Sequence, residues 1–401
     1  MAGPLSGIRV VELGQVIAGP FCGQLLGDYG AEVIKIEPPG TGDVLRQWGL
    51  RRPAEGDGTG DSLWWSVAAR NKRSITVDLR TPEGQQLVRD LVAVSDILLE
   101  NFRPGTLERW GLGWHALSAI RPELIMIRVS GFGQTGPYAK RAGYASIGEA
   151  MGGLRALTGY PDRPPIRIGI SIGDTLTGMF GALGALAALE ARRRTGRGQV
   201  IDAAIYASVL GVTESLVTEW QAAGHSRQRT GPTLPGIAPS NVYPTRDGQL
   251  IIAANQDSVF GRLVAVMERP DLATDERYAT HGARGANMAE LDGIIAAWTA
   301  GFDADGLLQT LHDNGVPAGR IYRAKDMFAD PHFAARQAIV RLAHPDFGEI
   351  AMQNVFPRLS ASPGAVRAVG PALGADNDGI YRGLLGLDDD ELDRLSKAGV
   401  I

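Results

Sequence analysis

The sequence predicts an α/β protein in two parts, a mostly parallel, helix-covered sheet and a smaller α+β region. Three observations predict it: apolar runs alternate with helical stretches from Ile8 to Ala204, a Gly- and Pro-rich break spans Thr230 to Pro239, and a hairpin pattern follows that break. Ile8 to Leu13 reads as a strand, Gly19 to Tyr29 as a helix and Glu32 to Ile36 as a second strand, together a βαβ unit. A helix from Pro82 to about Ala93 and strands at Asp96–Glu100 and Leu124–Ser130 extend the alternation. Thr175 to about Arg192 is a long small-residue helix. Thr195-Gly-Arg-Gly198 turns tightly into the apolar run Gln199–Ala204, and another helix runs through about Ala222. Asn241 to Ala254 is expected to be a hairpin turning at Asp247-Gly248, the strongest short-range turn signal in the chain. Helices then dominate to about Asn314, where Asn314-Gly-Val-Pro-Ala-Gly319 brings helix-stop and turn chemistry, and sheet and helix return beyond it.

Composition bounds the function. A chain of 401 residues exceeds one ordinary core, so two domains are expected. Its 40 basic and 44 acidic residues are interspersed and leave a net charge of −4, which supplies no field for a nucleic acid but leaves room for a local basic pocket around a small phosphorylated ligand. The single cysteine, Cys22, excludes an intramolecular disulfide and a multi-cysteine metal site and fits a reducing compartment, so a cytoplasmic protein is expected. Met1 to Gly7 lacks a basic region followed by an apolar core, so no secretory leader is expected. The charge-free stretch Thr175–Leu189 falls short of the roughly 20 residues a bilayer needs and reads as a buried core helix, without membrane association. The six histidines form no i, i+4 pair and no cluster with metal spacing, so neither a catalytic metal nor a tightly bound cofactor is expected.

Asp174 is the leading candidate for chemistry. It stands between the Gly-punctuated stretch Ile168–Gly173 and the long helix, where Asp is a favoured N-cap for the unpaired first-turn amides. The same helix end favours negative charge and can hold a developing oxyanion nearby, with amides around Gly173 as donors. There is no Walker loop. Gly14 and Gly19 are too far apart for a dinucleotide loop, so Glu37 is not read as a ribose-binding acid. Basic residues gather at Lys72, Arg73, Arg80, Arg103, Arg109, Lys140 and Arg141, each of which alone reads as a solvated charge. Asn101-Phe-Arg-Pro-Gly105, however, lies just past a strand's carboxyl end, where open α/β sheets bind ligands, and Phe102 offers a flat face beside the cations. Together they fit a ligand with an adenine and phosphates.

An ordered set of motifs then carries a resemblance: Leu5–Leu13, Ala18-Gly-Pro20, Gly30–Glu37, Asn71-Lys-Arg-Ser74, Asp78–Gly84, Glu100–Gly105, Ile172-Gly-Asp174, Arg194–Gln199 and Gly315–Gly319. Nearly end to end, the chain resembles the class III CoA-transferases, the family of formyl-CoA:oxalate transferase, carnitine CoA-transferase and the α-methylacyl-CoA racemase branch. The resemblance implies a Rossmann-like large domain built from residues 1–224 and 326–401, a small α+β domain inserted at 225–325, and an interlocked homodimer. It implies CoA and acyl-CoA as substrates, with no nucleic-acid partner. Asp174 falls on the family's nucleophilic aspartate. Val77, Asp78, Leu79, Arg80, Asn101, Phe102, Arg103, Arg109, Lys140, Arg141 and Tyr144 fall on CoA-binding positions. Ile17 and Ala18 fall at the thioester end, where oxalate-type relatives carry Gln in place of Ile17. Pro38 occupies a CoA-contact position that is often Arg.

Racemisation requires groups that remove and return an α-proton on opposite faces. The racemase branch has His where this chain has Tyr144 and a Glu close to Gln256, and neither Tyr nor Gln does that work at neutral pH. Transfer needs only the carboxylate, so a CoA-transferase is the expected function. A racemase and a non-catalytic acyl-CoA-binding protein are the alternatives. The tracts Ala142–Leu154 and Arg167–Asp174 are similar to transferases that move CoA from succinyl-CoA to dicarboxylates, for which Arg167 is a candidate bidentate grip.

Overall fold

The computed structural model describes residues 3–53 and 59–401. In chain order the first part runs β1 (Arg9–Glu12), α1 (Ala18–Asp28), β2 (Glu32–Glu37), the antiparallel ribbon β3 (Arg51–Pro53) and β4 (Thr59–Ser62), α2 (Leu63–Ala68) and β5 (Lys72–Thr76). There follow α3 (Pro82–Ala93), β6 (Ile97–Glu100), α4 (Thr106–Arg109), α5 (Trp114–Ile120), β7 (Ile125–Ser130), α6 (Ala145–Met151), α7 (Leu154–Leu157), α8 (Ile172–Thr195), β8 (Val200–Ala204), α9 (Ile205–Leu210) and α10 (Leu216–Ala223). Six strands make one sheet in the order β5-β2-β1-β6-β7-β8, with every pairing parallel. The expected α/β class is the observed one.

Period-two alternation sends neighbouring side chains to opposite faces. Val10, Val33, Ile97, Ile125 and Ile127 pack with Cys22 and Leu26 of α1 and with Ala182, Ala185 and Leu189 of α8. Val11, Ile34, Ile75, Leu98 and Met126 face the other way, onto Val88 and Leu91 of α3 and Leu117 of α5. Both faces are therefore covered, which is why the strands read as near-continuous apolar runs.

Two helices differ from expectation. The helix expected to continue to Ala222 is α9 and α10, because the chain turns after Gly211 and Glu214 takes a left-handed φ of 55°. The long helix spans 24 residues, with one side buried through Thr177, Gly178, Gly181, Ala182, Ala185 and Ala188. By length and composition alone it is long and apolar enough to cross a membrane, and Met179, Leu183 and Leu186 on it are exposed.

The second part is α+β. β9 (Ser240–Pro244) and β10 (Gln249–Ala253) form the Asp247-Gly248 hairpin, whose turn is anchored by the Ala304 amide donating to Asp247 at 2.8 Å. Helices α11 (Asp257–Val266), α12 (His281–Ala286), α13 (Met288–Thr299) and α14 (Ala304–Asp313) follow, and β11 (Ala318–Arg320) pairs antiparallel with β10. Tyr243, Leu250, Phe260, Leu263, Leu291 and Leu311 form its core. The chain continues through α15 (Ala324–Ala329), α16 (Pro331–Ala335), the ribbon β12 (Ile339–His344) and β13 (Gly348–Gln353), α17 (Asn377–Tyr381) and α18 (Asp389–Lys397).

The carboxyl-terminal segment completes the first part. Ile380, Tyr381 and Leu395 enter the same core as α3 and α5. Edge strand β5 is covered by side chains: Asp376 accepts from the Ser74 amide and Asn377 from the Thr76 amide, both at 2.9 Å, which blunts an exposed ladder. Two compact units result, 1–155 with 168–223 and 334–401, and 156–167 with 224–333. The division at 333/334 falls later than the 325/326 expected, and 156–167 cluster with the second unit although expected in the first.

Candidate active site

Strand order places the site. The chain passes from β1 outward through β2 to β5, then returns to lay β6 on the other side of β1, so the connections diverge between β1 and β6. Loops leaving the carboxyl ends of these two strands bound a crevice, the usual ligand site of an open parallel sheet. Asn101, just after β6, spans it, accepting from the Gln15 amide at 2.8 Å and donating to the Gln15 carbonyl at 2.7 Å. Gly14 and Gly19 approach so closely that a Cβ on either would lie 3.2 Å from the other's Cα.

Asp174 stands near this loop. Its expected place as N-cap is corrected: Ser171 is the N-cap and Asp174 the third residue of α8. An acidic residue there still complements the helix dipole. The Thr175 amide and hydroxyl both donate to the Ser171 carbonyl at 3.0 Å, so the helix begins earlier than Thr175. A side chain at Gly178, one turn after Asp174 on the same side of α8, would strike the Ala18 carbonyl and Phe21, 2.9 Å from its Cβ. Small residues thus bring the first turns of α1 and α8 together. The Gly173 amide, expected as an oxyanion donor, is directed at buried Glu149 (3.5 Å), which Arg155 holds at 2.9 Å.

A cavity of about 450 Å3 opens along the carboxyl edge of β1, β2, β5 and β6. Val77, Asp78, Leu79, Arg80 and Phe102, all candidate CoA-binding positions, line it together with Gln15, Pro38, Trp110 and Gly399. Phe102 and Trp110 meet edge-on, ring centres 5.3 Å apart, giving the cavity an aromatic wall. Trp110 follows Arg109 directly and was within reach of sequence reasoning, whereas nothing local marks Gly399. Arg80 is exposed at the rim and paired with Asp78 at 2.7 Å.

Other expected residues do not line this cavity. Asn101 spends its amide on the Gln15 loop. Ala18 is buried in the core between sheet and α8, leaving only its backbone for a ligand, and Ile17 packs against Leu45 and Trp65. Arg103 is exposed, and Arg109 donates to Thr106 at 3.0 Å. Lys140 and Tyr144 are exposed, and Arg141 stacks 3.7 Å over the Tyr138 ring. Lys72 is not a solvated charge but a buried partner of Glu12 at 2.9 Å. Arg167 belongs to the second unit. Among the described residues no group of acidic, His or Cys side chains has the makings of a metal site.

The Phe102 amide is held by Glu100 at 2.7 Å, and Glu100 shares the Arg128 guanidinium with Glu108, each at 2.7 Å. Burial pushes the Glu100 carboxyl up to about 7, outweighing Arg128 and the Phe102 amide, which pull it down. Two carboxylates thus share one cation, and the buried one keeps a proton near neutral pH. From pH 4.5 to about 7 the folded chain binds this proton more tightly than the unfolded chain, so stability from this group falls as pH rises through that window. At 1.36 kcal/mol per pKa unit the fall is about 3 kcal/mol. Glu100→Gln should flatten that slope in urea titrations across the window, and parallel curves for parent and variant would refute the assignment.

Comparison with known proteins identifies the family. The profile of CoA-transferase family III matches residues 5–377. The chain is 61% identical over 399 residues to succinyl-CoA–D-citramalate CoA-transferase of Chloroflexus aurantiacus, covering 99% of this chain and 98% of the relative. It is 40% identical over 372 residues to succinate–glutarate CoA-transferase of Agrobacterium fabrum, covering 92% and 93% respectively. Among solved structures, a CAIB/BAIF family protein from Brucella suis superposes with a TM-score of 0.84 at 40% identity, covering 96% of this chain and all of that one (100%). This chain is a member of the family III CoA-transferases.

Proposed function

We propose that the enzyme moves CoA from succinyl-CoA to a dicarboxylic acid, with Asp174 as the covalent acceptor. The observation that carries this reading is the position of Asp174, in the first turn of α8 where α8 meets the α1 turn, at the carboxyl edge that also forms the aromatic-walled cavity. The substrate class rests on the similarity to the citramalate and glutarate transferases.

In the proposed cycle the Asp174 carboxylate attacks the thioester carbonyl, forms a mixed anhydride and expels CoA thiolate. The thiolate returns to the aspartyl carbonyl, releasing the donor acid and leaving an aspartyl-CoA thioester. The acceptor carboxylate repeats the exchange and regenerates Asp174. Val77, Asp78, Leu79 and Phe102 form the wall for the adenine end, with Trp110 added, while Arg80 at the rim, exposed Arg103, Arg109, Lys140 and Arg141 and the exposed ring of Tyr144 are proposed to contact the rest of CoA. Asn101 acts by holding the loop that carries Ile17 and Ala18. The test is exchange from succinyl-CoA to a panel of dicarboxylates, D-citramalate first, by the parent and by Asp174→Asn; activity confined to monocarboxylic fatty acids would overturn the substrate class.

An interlocked homodimer is part of this reading. Met179, Leu183 and Leu186 on α8 and Val217 and Trp220 on α10 are exposed, Leu183 and Trp220 to 61% and 64%, and a partner chain would cover them. Sedimentation should give twice the 42.6 kDa chain mass, and a monomer with full activity would refute it.

A further inference from the structure

The loop between β1 and α1 is gripped by side chains at successive backbone atoms. Lys35 donates to the Gly14 carbonyl. Asn101 takes both polar atoms of Gln15, and Asp43 accepts from the Val16 amide through both oxygens, at 3.1 and 3.2 Å. Behind the loop, Lys35 pairs with Asp43 at 2.8 Å and lies 3.5 Å from Glu12. Glu12 pairs with Lys72, which donates to the Pro20 carbonyl of α1 at 2.7 Å. Glu12 and Asp43 are 0% exposed, Lys35 1% and Lys72 6%.

Stability does not explain such a network, because apolar residues of equal volume often do as well or better than buried ion pairs. What it does support is a backbone the sequence disfavours. Val16 has a φ of 68°, the left-handed region that a β-branched residue adopts only under constraint. That conformation turns the chain sharply into Ile17, the N-cap of α1, and Ala18, whose carbonyl fills the notch at Gly178 one turn from Asp174. Backbone strain of this kind persists where a site needs a fixed geometry.

We propose that Lys35 and Asp43 form a buried clamp that holds Val16 left-handed and so sets the Ile17–Ala18 turn against Asp174 for acyl transfer. Neither side chain touches the reacting atoms; both are positioning residues, and the inference rests on Asp174 being the acyl acceptor. Asp43→Asn keeps the shape and one acceptor but weakens the grip on Val16 and Lys35. Glycine at position 16 adopts a positive φ without cost and has less need of the clamp.

The experiment is a cycle of Asp43→Asn, Val16→Gly and the double variant. It is read as kcat per active site, counted by hydroxylamine trapping, KM for succinyl-CoA, and amide hydrogen exchange over residues 15–18. Asp43→Asn should lower kcat by about 30-fold, within the range a small misplacement of reacting groups costs, with KM changed less than about twofold and faster exchange in the loop. In the Val16→Gly background the same substitution should cost only about threefold, a rescue that a general loss of stability does not produce. Equal losses in the two backgrounds, or an unchanged kcat per active site, overturn the clamp. If Asp43→Asn alone does not fold, recovery of folded, active enzyme in the double variant supports the clamp and failure to recover overturns it. Exchange retained by Asp174→Asn overturns the acyl-acceptor reading and the clamp's purpose with it, whereas exchange lost there but unaltered in Asp43→Asn overturns the clamp alone.

Discussion

Asp174→Asn is expected to fold as the parent does and to lose CoA exchange by at least about a thousandfold, the scale on which removal of a covalent nucleophile acts. The substitution is isosteric and leaves the third position of α8 able to accept from the helix amides, so the helix start should survive. What is lost is the negative oxygen that attacks the thioester; a neutral amide forms no anhydride. Thermal unfolding within a few degrees of the parent, with no exchange detected by mass spectrometry, is the expected pair of results. Hydroxylamine added with succinyl-CoA should label Asp174 in the parent and nothing at that position in the variant. Turnover near the parental rate in Asp174→Asn would remove the carboxylate from the mechanism.

The second large effect concerns stability. A Cβ at Gly198 would lie 1.7 Å from the Leu124 carbonyl oxygen and 2.3 Å from its carbon, both backbone atoms. Leu124 cannot retreat, since it is fully buried and the next residue, Ile125, donates to the Asp96 carbonyl at 3.0 Å. Gly198 itself donates to the Pro122 carbonyl at 3.0 Å, and Gln199 accepts from Met126 at 2.9 Å, so this is where β8 joins the sheet beside β7. Gly198→Ala must therefore move strand against strand and should cost about 3 kcal/mol or more, at the upper end of overpacking effects. Gly196, two residues earlier, is glycine for another reason: it caps α8 with a φ of 67° in open space. Alanine there should cost only about 1 kcal/mol, through backbone conformation. Urea midpoints of the two variants separate these causes, and a Gly198→Ala chain as stable as Gly196→Ala would contradict the contact argument.

The Thr195–Gly198 turn shows how far sequence reading reaches. Two glycines around a basic residue marked a tight turn, correctly, yet only the packed structure distinguishes a conformational glycine from a steric one. The same division runs through the site. α3 begins and ends where its pattern indicated, at Pro82 and Ala93, because Pro at a helix start and an apolar stripe are local signals. The Asp247-Gly248 hairpin was legible for the same reason. Asp174 was legible as a helix-start carboxylate, but one turn of displacement made it the third residue rather than the cap.

Residues whose role depends on distant partners were misread or missed. Asn101 looked like a ligand contact, and its side chain ties the loops after β1 and β6 together. Lys72 looked like one of several surface cations and is buried against Glu12. Gly399 joins the cavity from a position with no motif to announce it, while Trp110 directly follows Arg109. By itself the sequence determined the α/β class, several of the main strands and helices, the family resemblance and the carboxylate on which the chemistry is proposed to turn, because periodicity, turn chemistry and motif order are written in neighbouring residues. Tertiary structure alone decided which side chains hold the β1–α1 loop, which line the cavity and why Val16 is bent against its preference. Those outcomes depend on contacts between segments tens to hundreds of residues apart, and the free energy of each contact exists only once the sheet has brought the segments together.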